Sequence, residues 1–203
     1  MSKRHVVLGA VAALAAACAP DQAAPTAMEI RTPLYARGAD MNLNTHLRGE
    51  EEVFVPATPG APTPADSRAQ GQAIFRVDGG TVEFRLIAAN VENVIMAHIH
   101  CGRPGENGPI RMWLYPSVGP AGAPAAAGAG RQSGVLATGS FAPAGVTCPA
   151  SAVGQDMPLL DAMRAGLTYV NVHTNDGAGL PNSGPGDFPG GEIRGQLDDP
   201  GAR

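Results

Sequence analysis

Three histidines in this sequence have a spacing that suits metal chemistry. His98 and His100 are separated by one residue in the apolar run 94–100, and His173 lies in a second apolar run, 167–174. Because side chains alternate across a β-strand, a His-x-His pair places both imidazoles on one side, about 7 Å apart at the backbone, where both rings can reach one ion. A third histidine on a neighbouring strand would complete a three-histidine face of the kind that zinc and copper use.

Two more side chains belong to the same hypothesis. Met96 shares the strand face of His98 and His100 and would add a soft thioether ligand that favours copper. Glu192 would act as a fourth ligand, or as the carboxylate that fixes the tautomer of a ligating imidazole. The candidate cofactor is therefore copper or zinc. In the alternative, no metal is bound, the histidines form a solvated or hydrogen-bonded sheet face, and Glu192 and Arg194 bond across strands to hold the register.

These side chains need three neighbouring strands to bring them together. On each predicted strand the polar residues share one face, opposite the apolar residues that would point to a core. If the three strands are neighbours in one sheet, their polar faces form a single wall, although the sequence leaves that adjacency open. Strand by strand, the polar faces consist of Met96, His98 and His100; Tyr169, Asn171 and His173; and Glu192, Arg194 and Gln196.

Short alternating runs separated by glycine and proline recur from residue 41 onwards. The chain has 27 glycines, 19 prolines and few aromatic residues among its 203 positions, which disfavours long helices. We predict an all-β fold: an antiparallel β-sandwich of Greek-key, immunoglobulin-like or superoxide-dismutase-like type, with one short helix at about 157–165. The predicted strands are 41–48, 71–77, 81–87, 94–100, 109–115, 134–141, 167–174 and 191–197.

The N-terminus has the order of an export signal. A basic segment at residues 2–5 precedes the apolar run Val6–Ala17, which is too short to span a bilayer, and Cys18 follows. The residues before Cys18 resemble a bacterial lipobox, with the departure that Leu14 stands four positions before the cysteine instead of three. We predict a signal peptide at 1–17 and lipidation of Cys18. The alternative is a secreted protein that is cleaved nearby without acylation.

Residues 18–40 carry three prolines after Cys18 and show no sustained periodicity, so we predict a flexible tether there and one domain over 41–203. A lipid anchor on Cys18 would hold this domain at a membrane of the cell envelope, facing the periplasm or the cell surface. The formal net charge is −4, and Lys3 is the one lysine of the sequence. This balance argues against a nucleic-acid partner.

Apart from Cys18, the sequence contains two cysteines, Cys101 and Cys148. An even pair in an exported chain predicts a disulfide, which the chain-entropy model values at about 4 kcal/mol for a loop of this size. The alternative is that Cys101 is a metal thiolate.

Four motifs, taken in order, resemble the CHRD domain, a module of chordin that is common in bacterial exported proteins. The resemblance maps the family's histidine pattern onto His98, His100 and His173. One motif departs from the family, because Gly49-Glu50-Glu51-Glu52-Val53 is followed by a lone Pro56 in place of a proline pair. The four motifs are LRGEEEV at 47–53, AHIHCGRPGENGPI at 97–110, GLTYVNVHT at 166–174 and GEIRGQL at 191–197.

The resemblance implies an all-β, sandwich-like domain, and it supplies no reaction. We therefore expect an exported binding or structural module without catalytic activity, tethered to a membrane, with a protein or small-molecule partner that the sequence does not identify. The alternative function is a copper- or zinc-binding protein, or a metal-dependent redox protein, that uses the histidine-lined sheet face.

Overall fold

The computed structural model describes residues 41–116 and 130–197. The predicted signal peptide, the tether and Cys18 lie outside the described residues and stay predictions. Ten strands lie within the described ranges, and every strand pair is antiparallel. They are β1 (Met41–Arg48), β2 (Gln70–Asp78), β3 (Thr81–Glu92), β4 (Val94–Cys101), β5 (Ile110–Tyr115), β6 (Arg131–Phe141), β7 (Thr147–Cys148), β8 (Met157–Pro158), β9 (Thr168–Thr174) and β10 (Ile193–Gln196).

Eight of these strands form one continuous sheet in the order β5-β4-β9-β10-β1-β2-β3-β6, while β7 and β8 form a separate pair. The edge strands β5 and β6 contact each other, so the sheet is nearly closed on itself. The all-β antiparallel prediction is confirmed, and each of the eight predicted strands corresponds to one strand of this sheet. The inward-facing core thus lies inside one curved sheet instead of between two separate sheets.

The helical content is small. Two α-helices, α1 (Ala150–Val153) and α2 (Leu159–Arg164), follow β7 and β8, and two 3₁₀ helices cover Gly49–Glu51 and Pro64–Asp66. The helix that the sequence predicts at 157–165 is α2, which begins two residues later because β8 occupies 157 and 158. Within the two described ranges, every helix is too short to cross a bilayer.

The hairpin between β2 and β3 shows how local sequence sets the register of the sheet. Asp78 pairs with Thr81, which leaves the two-residue turn Gly79-Gly80, with φ of +52° and +89°. Two positive φ angles in succession are the requirement of the turn that matches the twist of a hairpin, and glycine meets it without strain. The alternating residues of the two strands then face the core together.

Cys101 at the end of β4 is bonded to Cys148 in β7, as the even cysteine pair predicts, with the Cα atoms 5.5 Å apart. Both cysteines are fully buried among core side chains. The alternative role of Cys101 as a metal thiolate is therefore wrong, because its sulfur is in the disulfide and its side chain belongs to the core, opposite the histidine face.

Candidate metal centre

The strands that carry the candidate ligands are neighbours. In the sheet, β9 lies between β4 and β10, and the Cα atom of Asn171 is in register with His98 on one side and with Arg194 on the other. Val170, Val172 and Ile193 pack in the core. Alternation therefore turns the polar residues of all three strands to the opposite face, and the single wall that the sequence left conditional is present.

The wall brings His98, His100 and His173 together. One ligand atom of each residue lies within 4.8 Å of the corresponding atoms of the other two. The exposed fractions of these residues are 0%, 7% and 5%, respectively, so the three histidines do not form a solvated face, and of the metal-free alternative only its hydrogen-bonded form remains. Burial removes the ring nitrogens from water, so their hydrogen-bond partners must come from the protein or from a ligand.

Two of the rings are anchored through the backbone. Nδ1 of His100 lies 2.9 Å from the carbonyl oxygen of Gly108, and Nδ1 of His173 lies 2.9 Å from the carbonyl oxygen of Pro189. A carbonyl oxygen only accepts, so both Nδ1 atoms must carry the proton. In the neutral ring, Nε2 then keeps a free lone pair, which is the tautomer that second-shell carbonyls impose on metal-binding histidines.

Of the four remaining ring nitrogens, two lie close to each other and two have no hydrogen-bond partner among the described residues. Nδ1 of His98 lies 3.2 Å from Nε2 of His173. Among the described residues, Nε2 of His98 and Nε2 of His100 are buried and have no hydrogen-bond partner. A buried polar atom that makes no hydrogen bond is costly, and it marks a place where an ion or another ligand would gain the interaction.

The electrostatics of the cluster keep the rings neutral. Desolvation by burial lowers the pKa of His98 to about 3, with smaller contributions from His173 and His100. Burial also lowers the pKa values of His100 and His173 to about 4, although the hydrogen bond that each ring makes to a backbone carbonyl partly opposes this effect. Imidazole binds metal in its neutral form, so the cluster is ready to coordinate at neutral pH without losing a proton.

Aromatic rings surround the cluster on the strands to either side. Trp113 of β5 contacts His98 edge-on, with ring centroids 4.1 Å apart, and Tyr169 stacks on His100 at 4.7 Å. The guanidinium carbon of Arg194 lies 3.5 Å from the centroid of the Tyr169 ring. Arg194, Tyr169 and His100 thus form a continuous stack that orients the His100 ring.

The carboxylate of Glu192 lies outside the histidine cluster and is held by other groups. One carboxylate oxygen accepts from the Ser67 hydroxyl, and the other accepts from Thr174 Oγ1 at 2.7 Å and from the Gly186 amide at 3.0 Å. Its side chain also lines a cleft of about 370 Å³ beside Ser67 and Gly186. Glu192 therefore holds the loop before β10 on β9, and it does not belong to the group of three histidines.

Met96 is half-buried, and its Cα atom is in register with His173, so strand alternation keeps it on the wall. Arg194 donates to Asn107 Oδ1 and to the carbonyl oxygens of Arg103 and Glu106, which ties the loop between β4 and β5 to β10. Of the two residues predicted to bond across strands, Glu192 accepts from Thr174 of the neighbouring β9, whereas Arg194 bonds to the loop between β4 and β5.

A segment after the first 3₁₀ helix contacts the wall through Glu52, a residue that was not among the predicted site residues. Asn171 donates to both carboxyl oxygens of Glu52, at 2.9 and 3.1 Å, and the ring of Phe54 packs edge-on against Phe188. Burial raises the pKa of Glu52 to about 8, although Arg194 and the hydrogen bond from Asn171 work in the other direction. Asn171 shares its strand face with the histidines, and this is the one feature of the sequence that points to a contact at this position of the wall.

The sequence matches one protein-family model over most of its length. A model of the CHRD domain matches residues 43–181, more than half of the chain and a range that contains all three histidines. Neither the curated proteins nor the solved structures gave a significant match. The chain belongs to the CHRD domain family.

Proposed function

We propose that this CHRD domain is a non-catalytic binding module whose ligand is one transition-metal ion, copper or zinc, held by His98, His100 and His173. The observation that carries the proposal is the convergence of three buried imidazoles within 4.8 Å, two of which are held by backbone carbonyls in the tautomer that leaves the lone pair on Nε2. Imidazole nitrogen is a ligand that both copper and zinc accept.

The burial of the cluster favours binding over catalysis. A catalytic metal site keeps a coordination position open to water or substrate. His98 is fully buried and the other two histidines are at most 7% exposed, so a substrate would have to displace the covering segments to reach the ion. A redox enzyme on this sheet face is therefore the less supported alternative.

Elemental analysis tests the proposal. The full chain, purified without a histidine tag, is dialysed with a small excess of copper or zinc, freed of unbound metal and analysed by mass spectrometry. We expect about one ion per chain. A wild-type protein that retains no stoichiometric copper or zinc would overturn the proposal.

Variants test whether the metal binds at the histidine cluster. The double variant His98→Ala/His100→Ala should retain less than about a tenth of the wild-type metal, whereas His46→Ala, which removes an exposed histidine of β1, should retain all of it. Circular dichroism of each variant establishes that the fold is intact. Equal metal content in the two variants would show that the ion binds outside the cluster.

We further propose that the domain is exported and held at a membrane of the cell envelope through a lipid on Cys18. The supporting features are the basic segment followed by an apolar run within residues 1–17 and the small residues before Cys18. Mass spectrometry of the mature N-terminus tests this. An acylated Cys18 as first residue supports the anchor, and an unmodified N-terminus removes it.

A further inference from the structure

The histidine cluster brings together ligands without negative charge. In the part of the chain that the structure describes, the group within 4.8 Å consists of three histidines and contains no carboxylate or thiolate. The desolvation cost of an ion grows steeply with its charge, and a buried divalent ion normally recovers that cost from anionic ligands or from water. This set of neutral ligands recovers less of the cost for a divalent ion than for a monovalent one.

The charged side chain that stacks toward the cluster is Arg194, and its charge is positive. The Arg194 guanidinium stacks on Tyr169, which stacks on His100, and Arg194 disfavours positive charge on the His100 ring. The carboxylate of Glu192 is occupied by Ser67 and Thr174 and is absent from the cluster. The repulsion from a fixed guanidinium is twice as large for a divalent ion as for a monovalent one.

The number of ligands also favours a monovalent ion over zinc. Zinc sites are almost always four-coordinate, with water filling the fourth position where the protein supplies three ligands. The near-complete burial of all three histidines leaves little access for that water. Met96, two residues before His98 on the same strand face, offers a thioether, and thioethers select Cu(I) over Zn(II).

We infer that, if the cluster binds metal as proposed above, it selects Cu(I) over Zn(II) and Cu(II), with the three imidazoles as ligands and the Met96 sulfur as a supplementary soft donor. The inference rests on the proposed function and adds to it the charge and softness of the ion.

Competition titrations under anaerobic conditions test the inference. The full chain receives Cu(I) as its acetonitrile complex in competition with bicinchoninate, and Zn(II) or Cu(II) in competition with a chromophoric chelator. We expect one Cu(I) per chain and an affinity at least 1000-fold higher than that for Zn(II). Zinc or Cu(II) binding within tenfold of Cu(I) would overturn the selectivity and leave the proposed function standing, whereas no binding of any of these ions would overturn both.

A pair of methionine variants tests the thioether. Met96→Leu should weaken Cu(I) binding at least tenfold and leave Zn(II) binding within threefold of wild type. Met112→Leu is the matched control, because Met112 packs against the core. Equal Cu(I) affinities of the two variants would remove Met96 from the site.

A pair of arginine variants tests the charge. Arg194→Met removes the guanidinium and Arg194→Lys retains a positive charge, and both are compared only after their circular dichroism matches wild type. The Met variant should bind Zn(II) at least fivefold more tightly than the Lys variant. Identical Zn(II) affinities would contradict the electrostatic part of the inference, and the methionine pair tests selectivity even if both arginine variants fail to fold.

Discussion

Nδ1 of His98 lies 3.2 Å from Nε2 of His173, across the boundary between β4 and β9. Because Nδ1 of His173 donates to Pro189, its Nε2 presents a lone pair, and His98 must supply either a proton or a second lone pair to the same space. Two imidazole ligands at about 2.05 Å from one tetrahedral ion are about 3.3 Å apart. The pair is therefore spaced for a shared proton in the metal-free protein and for a shared ion in the metal-bound one.

We expect the metal-free protein to lose stability as the pH falls below about 6.5. An unfolded histidine titrates near pH 6.5, whereas burial lowers the pKa of His98 to about 3 and those of His100 and His173 to about 4. Between these limits the unfolded state binds more protons, so the free energy of unfolding falls by up to about 1.4 kcal/mol per pH unit for each histidine. Urea denaturation between about pH 7 and pH 5 measures the slope.

The control for this slope is His46→Gln, which removes a histidine with an exposed side chain and should leave the slope unchanged. His98→Gln should reduce it by about a third, because one of three buried rings is lost. A free energy of unfolding that stays constant over this pH interval would contradict the prediction.

Above about pH 6.5, Glu52 should make the free energy of unfolding fall as the pH rises. Its pKa is raised from 4.5 to about 8 by burial, so between these values the folded state binds more protons than the unfolded state. Stability due to Glu52 is complete at low pH and is lost as the pH rises to about 8, by up to about 1.4 kcal/mol per unit. Combined with the histidines, this places the stability maximum of the metal-free protein near pH 6.5. Urea denaturation up to about pH 8.5 measures the alkaline decrease.

Glu52→Gln should remove that alkaline decrease, because an amide stays neutral and its oxygen still accepts from Asn171. Glu50→Gln is the matched control two residues away, with an exposed side chain. If both variants decrease in parallel with wild type above pH 6.5, a group other than Glu52 is responsible.

The disulfide should contribute about 4 kcal/mol to the stability. Cys101 and Cys148 are 47 residues apart in sequence, and a closed loop of that length restricts the unfolded chain accordingly. We expect Cys101→Ala/Cys148→Ala to lose roughly this much in urea denaturation. Unfolded, unreduced wild-type protein in which both Cys101 and Cys148 react with a thiol reagent would contradict the bond itself.

The sheet and the histidine wall were predictable because they depend on alternation and turn chemistry, which are local. Asp78-Gly79-Gly80 determines a hairpin, and the parity of His98, His100 and His173 follows from strand periodicity alone. The position of Glu192 was not predictable, because its parity agrees with the wall while its carboxylate is held by Ser67, more than a hundred residues away. Contacts between distant loops and a strand end leave no periodic signal in the sequence.

The role of Gly108 was not predictable for the same reason, because its contacts join a loop to two strands. The carbonyl of Gly108 accepts from Nδ1 of His100, and its amide donates to the Tyr169 hydroxyl at 3.1 Å. A Cβ atom at this position would overlap the carbonyl group of Cys101, which is backbone and cannot move aside. Gly108→Ala must therefore displace the loop and release the His100 ring.

We expect Gly108→Ala to destabilise the domain by about 1–3 kcal/mol, the usual cost of overpacking, and to weaken metal binding at least tenfold, as the loss of an orienting contact does. Gly190→Ala is the matched control: it follows Pro189, whose carbonyl anchors His173, and its added Cβ would meet no atom within 4 Å. Urea denaturation and competition titration of both variants provide the measurement. Wild-type metal affinity in Gly108→Ala would show that the carbonyl anchor of His100 does not control the site.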